Sequence, residues 1–169
     1  LWLATAGGLS RRAPDGSWGR FTQAQGLIHD DLYALAMDAD GALWIGSRAG
    51  VSRLSSAGEW RTYTVEDGLA DAWVHDIAVD RLGNVWCATD AGASIRAGND
   101  VWRTAHTADG LPSIAINAIA ADATGGVWVA TDAGLAYWSS TGEWTLFNAD
   151  QPDHLIDNPI LAIAIDAQG

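Results

Sequence analysis

Histidine, cysteine and carboxylate side chains build most catalytic sites, and their spacing here favours no catalytic site. The sequence lacks an H-E-x-x-H pattern, a G-x-S-x-G turn and a phosphate-binding glycine loop ahead of a helix. The histidines share no common spacing: His29, His75, His106 and His154. One acid–base arrangement stays open, in which His75 works with Asp76 or Asp31. We therefore expect a protein that is not an enzyme, with a lyase or hydrolase as the alternative.

The metal-binding residue types also lack a site pattern. Cys87 is the single cysteine, which excludes an internal disulfide and a cysteine cluster, and its apolar neighbours indicate an inert core position. Several aspartates could together hold Ca²⁺ or a cationic ligand: Asp30, Asp31, Asp71, Asp76, Asp90, Asp132, Asp153 and Asp157. Because no D-x-D-x-D-G loop is present, we expect a solvated acidic surface, no metal and no cofactor.

The charge balance restricts the partners. The 169 residues carry a formal net charge of −12, and all nine cations are arginines. This balance argues against nucleic acid and against anionic membrane surfaces, both of which need a basic face. No apolar run has the length of a membrane-spanning helix. The chain starts with Leu1 rather than Met and shows no signal peptide, so we expect an excised or processed part of something longer.

A period of 42 residues runs through the sequence and dictates its fold. Eight of the ten tryptophans follow it in two series: Trp2, Trp44, Trp86 and Trp128, then Trp18, Trp60, Trp102 and Trp144. Glycines and turn aspartates follow the same period: Gly26, Gly68 and Gly110, then Asp38, Asp80 and Asp122. Repeats of this kind are units that cannot bury their apolar faces alone. The sequence therefore predicts one domain, 1–169, of four repeats: 1–42, 43–84, 85–126 and 127–169.

Each repeat contains four strand-like segments separated by turns. The first, such as "VHDIAVD", is apolar throughout, which predicts a strand buried on both faces, and the fourth, such as "WRTYT", is polar enough for an edge. Asp first and Gly fourth in "DADG" and "DATG" suit type I turns. Four strands per 42 residues match a blade of a β-propeller, in which tryptophans fill the gaps between blades. We predict an all-β propeller of four four-stranded antiparallel blades.

The two ends of the chain carry complementary parts of one blade. The start, "LWLAT", is a second strand, and the end, "ILAIAIDAQG", is a first strand with its turn. The last blade is therefore predicted to be closed by strands from both termini, which removes open sheet edges. Closure within one chain gives four blades. Closure between two chains gives a homodimer that shares an eight-bladed ring.

Several repeats resemble the two-component regulator propeller repeat. The segment "GLPSIAINAIAADATGGVWVATDAGL", from Gly110 to Leu135, carries its glycine, strand and turn positions in order. The family's Asn after "LPS" is kept only at Asn158. The resemblance implies a periplasmic or extracellular sensor part of a two-component regulator, which binds carbohydrate, another small ligand or a protein partner. The alternatives are a self-assembling ring unit and a propeller lyase.

Candidate binding residues are those that differ between repeats on one face of the ring. The loops between blades and the turns from second to third strand share that face, where ligands usually bind propellers, and varied polar residues suit a shaped pocket. Trp73, which is off the period, either stacks on a sugar or packs over a neighbouring blade; Trp138, also off the period, is expected to pack. The predicted ligand-binding set is Asp30, Asp31, Tyr33, Arg48, Trp73, His75, Asp90, Asn117, Asp132 and Asn158.

Overall fold

The structure is a computed structural model that describes residues 1–98, 100–150 and 155–166. Four antiparallel sheets follow one another along the chain, as expected for propeller blades. Sheet A consists of β1 (Trp2–Thr5), β2 (Gly8–Arg12) and β3 (Trp18–Phe21). Sheet B consists of β4 (Leu32–Met37), β5 (Leu43–Ser47), β6 (Gly50–Leu54) and β7 (Trp60–Tyr63). The all-β prediction is confirmed.

The other two sheets repeat the four-stranded plan of sheet B. Sheet C consists of β8 (Val74–Val79), β9 (Val85–Thr89), β10 (Gly92–Arg96) and β11 (Trp102–Ala105). Sheet D consists of β12 (Ile116–Ala121), β13 (Val127–Thr131), β14 (Gly134–Trp138) and β15 (Trp144–Phe147). Each is a simple meander in which consecutive strands pair. Sheet A differs because its three strands correspond to the second, third and fourth strands of the other blades.

Buried tryptophans fill the spaces between the sheets. Trp44 and Trp86 are each 1% exposed and belong to the cores between sheets B and C and between sheets C and D. Their indole N–H groups donate to Asp38 and Asp80 at 2.9 and 3.0 Å, and the same aspartates accept backbone N–H groups of the β4–β5 and β8–β9 turns. The joint period of Trp and Asp therefore reflects one unit that joins a turn to the core.

Burial within each blade differs from the sequence-based prediction. The second strands β5 and β9 are buried at every position, whereas the innermost strands β4, β8 and β12 alternate buried with partly or fully exposed residues. The innermost strand was therefore wrongly expected to be buried on both faces. It is an edge strand in sheets B, C and D, and some of its apolar residues, such as Met37, stay accessible.

Short 3-10 turns connect the blades and bring the periodic glycines against tryptophans. The turns Gln23–Gln25, Val65–Asp67 and Thr107–Asp109 each end at a glycine with positive φ. A Cβ on Gly110 (φ +119°) would lie 2.9 Å from the Trp144 ring, and one on Gly68 would lie 3.2 Å from Trp102. These glycines are required both by the backbone conformation and by the close approach of the next blade.

The ends of the described chain do not form a shared blade. Within the described residues, β1 pairs with β2 alone, and residues 160–166 carry no strand assignment. The backbone N–H of Ile160 donates to Thr131 at 3.0 Å, which places this segment beside the start of sheet D's innermost strand. A groove of about 450 Å³ separates residues 160–166 from Trp128 and Leu135.

Candidate functional site

Three β-bulges place the varied residues of the innermost strands. In β4–β5, β8–β9 and β12–β13 the register shifts directly after the first paired residue of the innermost strand. The extra residues are Tyr33, His75 and Asn117. A bulge inserts one residue and redirects its side chain, and bulges are frequent next to binding sites. The same backbone device therefore presents three different side chains at one end of the blades.

Each bulge residue lies across from a residue in the turn between the second and third strands, fifteen positions later. His75 Nε2 contacts Asp90 Oδ1 at 2.9 Å, and Asn117 Nδ2 donates to Asp132 Oδ1 at 2.9 Å and to the Ile160 carbonyl at 3.0 Å. In sheet B the corresponding turn residue is Arg48. All three blades therefore place a bulge residue across from a turn residue, but the side chains at these two positions differ in chemistry.

In sheet B, the Asp31 side chain connects the bulge residue Tyr33 to the turn residue Arg48. The Tyr33 hydroxyl donates to Asp31 Oδ2 at 2.8 Å, and Arg48 lies 3.8 Å from the same carboxylate oxygen. The hydrogen bond to Asp31, with smaller contributions from desolvation and the Asp31 charge, raises the pKa of the Tyr33 phenol. Tyr33 is therefore held as a neutral donor.

Trp73 joins the groups of sheets B and C. The Arg48 guanidinium lies 4.6 Å from the centroid of the Trp73 ring, and the rings of His75 and Tyr33 lie 4.8 and 5.6 Å away. The Trp73 indole nitrogen is buried and has no partner among the described residues. We call the six residues Asp31, Tyr33, Arg48, Trp73, His75 and Asp90 the aromatic–acidic cluster.

The aromatic–acidic cluster is accessible to solvent. Tyr33 is 41% exposed, and the side chains of Arg48 and Asp90 are 55% and 59% exposed. Trp73 is partly exposed and packs against Tyr33 and Arg48 of the neighbouring blade, the packing role that the sequence left open. The cluster can offer an aromatic face, carboxylate acceptors and one guanidinium to a ligand.

Other predicted residues lie outside the cluster. Asp30 Oδ1 accepts the Gln23 N–H at 2.8 Å and thereby fixes the first 3-10 turn, and Asp71 accepts the Trp73 N–H at 2.8 Å. Asn158 donates its backbone N–H to the Asp157 carboxylate, and in the described part of the chain no hydrogen bond joins it to the cluster residues. Trp138 packs against Trp86 and Trp144, which confirms the expected packing role.

The carboxylate that His75 contacts is neither Asp76 nor Asp31, the two partners that the sequence left open for an acid–base pair. His75 contacts Asp90, whereas Asp76 accepts the backbone N–H groups of Ile77 and of Ile119 in the next blade at 2.9 and 3.0 Å. Desolvation, opposed by these two hydrogen bonds, raises the pKa of Asp76. Asp76 occupies the position of Ala34 and Ala118 in the other repeats. This departure from the repeat was the sequence feature that could have indicated its hydrogen bond to the next blade.

The remaining titratable groups do not assemble into a centre. Among the described residues, no three His, Cys, Asp or Glu side chains lie close enough to hold a metal ion. Asp153 and His154 lie outside the described residues. Cys87 is fully buried, and this burial, with a smaller effect of Asp76, raises the pKa of its thiol and disfavours the reactive thiolate.

Two of the repeats match the model of a known family. Residues 26–49 and 110–133 match the family model "Two component regulator propeller". The resemblance found in the sequence is confirmed in these two repeats. No curated protein matches this sequence.

Solved structures share the fold at low sequence identity. The extracellular domain of a protein assigned to the hybrid two-component systems of B. thetaiotaomicron matches with a TM-score of 0.82 and 19% identity over 99% of this chain. A second such domain from B. thetaiotaomicron matches with a TM-score of 0.72 and 17% identity over 94%. Virginiamycin B lyase from Staphylococcus aureus matches with a TM-score of 0.70 and 17% identity over 89%.

These matches concern only part of each longer protein. The chain spans 24% and 22% of the two B. thetaiotaomicron chains and 52% of the lyase chain. The structural similarity therefore shows a set of consecutive propeller blades. The described residues contain no helix that is long and apolar enough to cross a membrane.

Proposed function

We propose that this chain is a non-catalytic binding module of the sensor type, with the aromatic–acidic cluster as its ligand site. The observation that carries the proposal is the position of the cluster: its side chains come from the bulges, the turns and the loop residues just before the innermost strands, positions that are equivalent in sheets B and C but differ in chemistry. Conserved backbone geometry with varied side chains is what a binding surface on a repeat scaffold requires.

The comparisons support a role in signalling. Two repeats match the two-component regulator propeller model, and two similar solved structures are extracellular domains of proteins assigned to two-component systems. We accordingly place the module in the periplasm or outside the cell, as the part that binds carbohydrate, another small molecule or a protein partner and passes the event to flanking domains.

The proposal is tested by ligand screening of the 169-residue protein. Neutral disaccharides, amino acids and small amines are added, and the midpoint of thermal unfolding is measured, because a ligand that binds the folded state stabilises it. At least one compound should raise the midpoint, and Trp73→Ala should abolish the shift.

Leu82→Ala is the control variant, since Leu82 is 76% exposed in the β8–β9 turn at the other end of the blade. It should keep the full shift. A screen without any stabilising compound, or a shift that survives Trp73→Ala, would overturn the proposed site.

For the assembly, we propose that two copies share one ring. Sheet A lacks an innermost strand, residues 160–166 have the sequence of one, and the two do not pair within the described chain. The faces that interior blades bury are exposed at the start of the chain, where Leu1, Leu3 and Trp18 are 73%, 39% and 56% exposed. Strand addition from a second copy would cover this face and satisfy the free edge.

The mass in solution tests the assembly. Two copies of the 17.8 kDa chain in one particle are expected. A particle that stays at the mass of one chain at all concentrations measured by light scattering would exclude the shared ring.

A further inference from the structure

The hydrogen-bond inventory of the aromatic–acidic cluster shows which chemical groups it still lacks. The donors Tyr33 Oη and His75 Nε2 are directed at carboxylates within the cluster. Among the described residues, no donor reaches the second oxygens, Asp31 Oδ1 and Asp90 Oδ2, because the side-chain contacts of both aspartates use only the other oxygen. The cluster therefore has acceptors left over, and a complementary ligand must bring donors.

A cation already occupies part of this surface. Arg48 lies over the Trp73 ring at 4.6 Å and beside Asp31 at 3.8 Å, so its guanidinium combines a cation–π contact with a carboxylate contact. At the equivalent turn position the next two blades carry Asp90 and Asp132. The first blade carries Ala6 at this position, so Arg48 is its one cation among the four repeats, and its guanidinium occupies an aromatic and acidic surface.

The charge of the whole chain favours the same class of ligand. With a formal net charge of −12, the protein attracts small cations and repels anions, and these long-range effects raise association rates at low ionic strength. A neutral sugar would gain nothing from this field, and it would bring as many unneeded acceptors as donors. A guanidinium or ammonium group brings donors alone.

We propose that the aromatic–acidic cluster binds a small organic cation that carries a guanidinium or primary ammonium group, and that this group replaces Arg48 on the Trp73 ring. The inference rests on the proposed function and names the ligand class of that same site. In the bound state the ligand cation contacts Trp73 and lies between the Asp31 and Asp90 carboxylates, while the Arg48 side chain turns to solvent.

The test is calorimetric titration with agmatine and with its neutral counterpart N-butylurea at low salt. Agmatine should bind, with an affinity that falls as sodium chloride is added, and N-butylurea should not bind. Trp73→Ala and Asp90→Asn should each weaken agmatine binding about fivefold or more. Arg48→Ala should strengthen it about threefold or more, because the competing guanidinium is gone.

Asp40→Asn supplies the matched control, since it removes the same charge from an exposed turn at the opposite end of sheet B. It should leave agmatine affinity within twofold of the parent protein. Equal binding of N-butylurea, insensitivity to Asp90→Asn, or unchanged or weaker binding by Arg48→Ala would each overturn the inference. A disaccharide that binds in a Trp73-dependent manner while agmatine does not would remove the cation assignment and keep the proposed binding function.

Discussion

At the scale of single residues, two aspartates have opposite pKa shifts because their surroundings differ. Burial alone would raise the pKa of Asp122, but hydrogen bonds from Thr124, Gly126 and Tyr137 outweigh it and lower the pKa to about 2. Asp76 accepts only two backbone N–H groups, and for this side chain desolvation prevails and raises the pKa. The number of donors at each carboxylate decides the sign.

Tyr137→Phe should lose stability in a pH-dependent way. The folded-state pKa of Asp122 lies below its ordinary value of 3.8, so its hydrogen bonds stabilise the fold fully above about pH 4 and lose this effect as the pH falls towards 2. The Tyr137 hydroxyl supplies one of these bonds, at 2.9 Å. The difference in unfolding midpoint between parent and variant should therefore shrink between pH 4 and pH 2; a difference that stays constant would contradict this account.

Asp76 should show the reverse dependence. Its folded-state pKa is raised, so the folded protein holds the proton more tightly than the unfolded chain, and the stability of the fold rises as the pH drops from 7 towards 4. Asp76→Asn removes the titration. Urea unfolding should show the parent gaining stability relative to Asp76→Asn over this range. If the parent protein loses stability relative to Asp76→Asn as the pH falls, the raised pKa of Asp76 is refuted.

Large tryptophan side chains show how far burial depends on the neighbouring blade. Trp86 is 1% exposed and bonded to Asp80, whereas Trp18 is 56% exposed on sheet A. Trp86→Ala should reduce the free energy of unfolding by about 3–5 kcal/mol, and Trp18→Ala in the isolated chain by less than about 1 kcal/mol. Denaturant unfolding measures both. Equal effects would be inconsistent with the blade order found here.

At the scale of elements, the turns within blades and the connections between blades depend on glycine for two separable reasons. Gly58 has φ +88° and open space around it, whereas Gly110 has φ +119° and lies against Trp144. Gly58→Ala should cost about 1–2 kcal/mol from backbone strain alone. Gly110→Ala should cost about 1–3 kcal/mol more, because the new methyl group must push the indole away. Thermal unfolding of both variants compares them, and a smaller loss for Gly110→Ala would contradict the contact.

The same elements show what the sequence could predict. The turn aspartates, the glycines and both tryptophan series repeat at one interval, and in sheets B and C the aspartate and the tryptophan form one hydrogen bond. In sheet D, Tyr137 donates to Asp122 instead. The bulges at Tyr33, His75 and Asn117 have no residue signature, because any side chain can occupy the extra position. The pairing of His75 with Asp90 depends on the bulge, and the sequence therefore gave no sign of it.

At the scale of the whole molecule, the repeat predicts the blade but leaves the closure of the ring open. Each blade buries its apolar residues against the next one, and the interval of 42 residues contains no information on how many blades meet. The curvature of the arc comes from side-chain packing between sheets, such as Trp60 against Phe21 at 6.0 Å. The 42-residue interval therefore predicts the blade and not the number of blades in a ring.

The proposed shared ring makes a specific demand on Trp18. By the 42-residue period, Trp18 corresponds to Trp60 and Phe147 corresponds to Phe21, so Trp18 of one copy should pack on Phe147 of a second copy. Trp18→Asp places a charge in this contact and should convert the two-chain particle to single chains, because burying an unpaired carboxylate is unfavourable. Leu82→Asp adds the same charge at an exposed turn residue outside the end faces and should leave the mass unchanged. Sedimentation velocity separates the outcomes: if Trp18→Asp keeps the two-chain mass, the face that carries Trp18 does not close the ring.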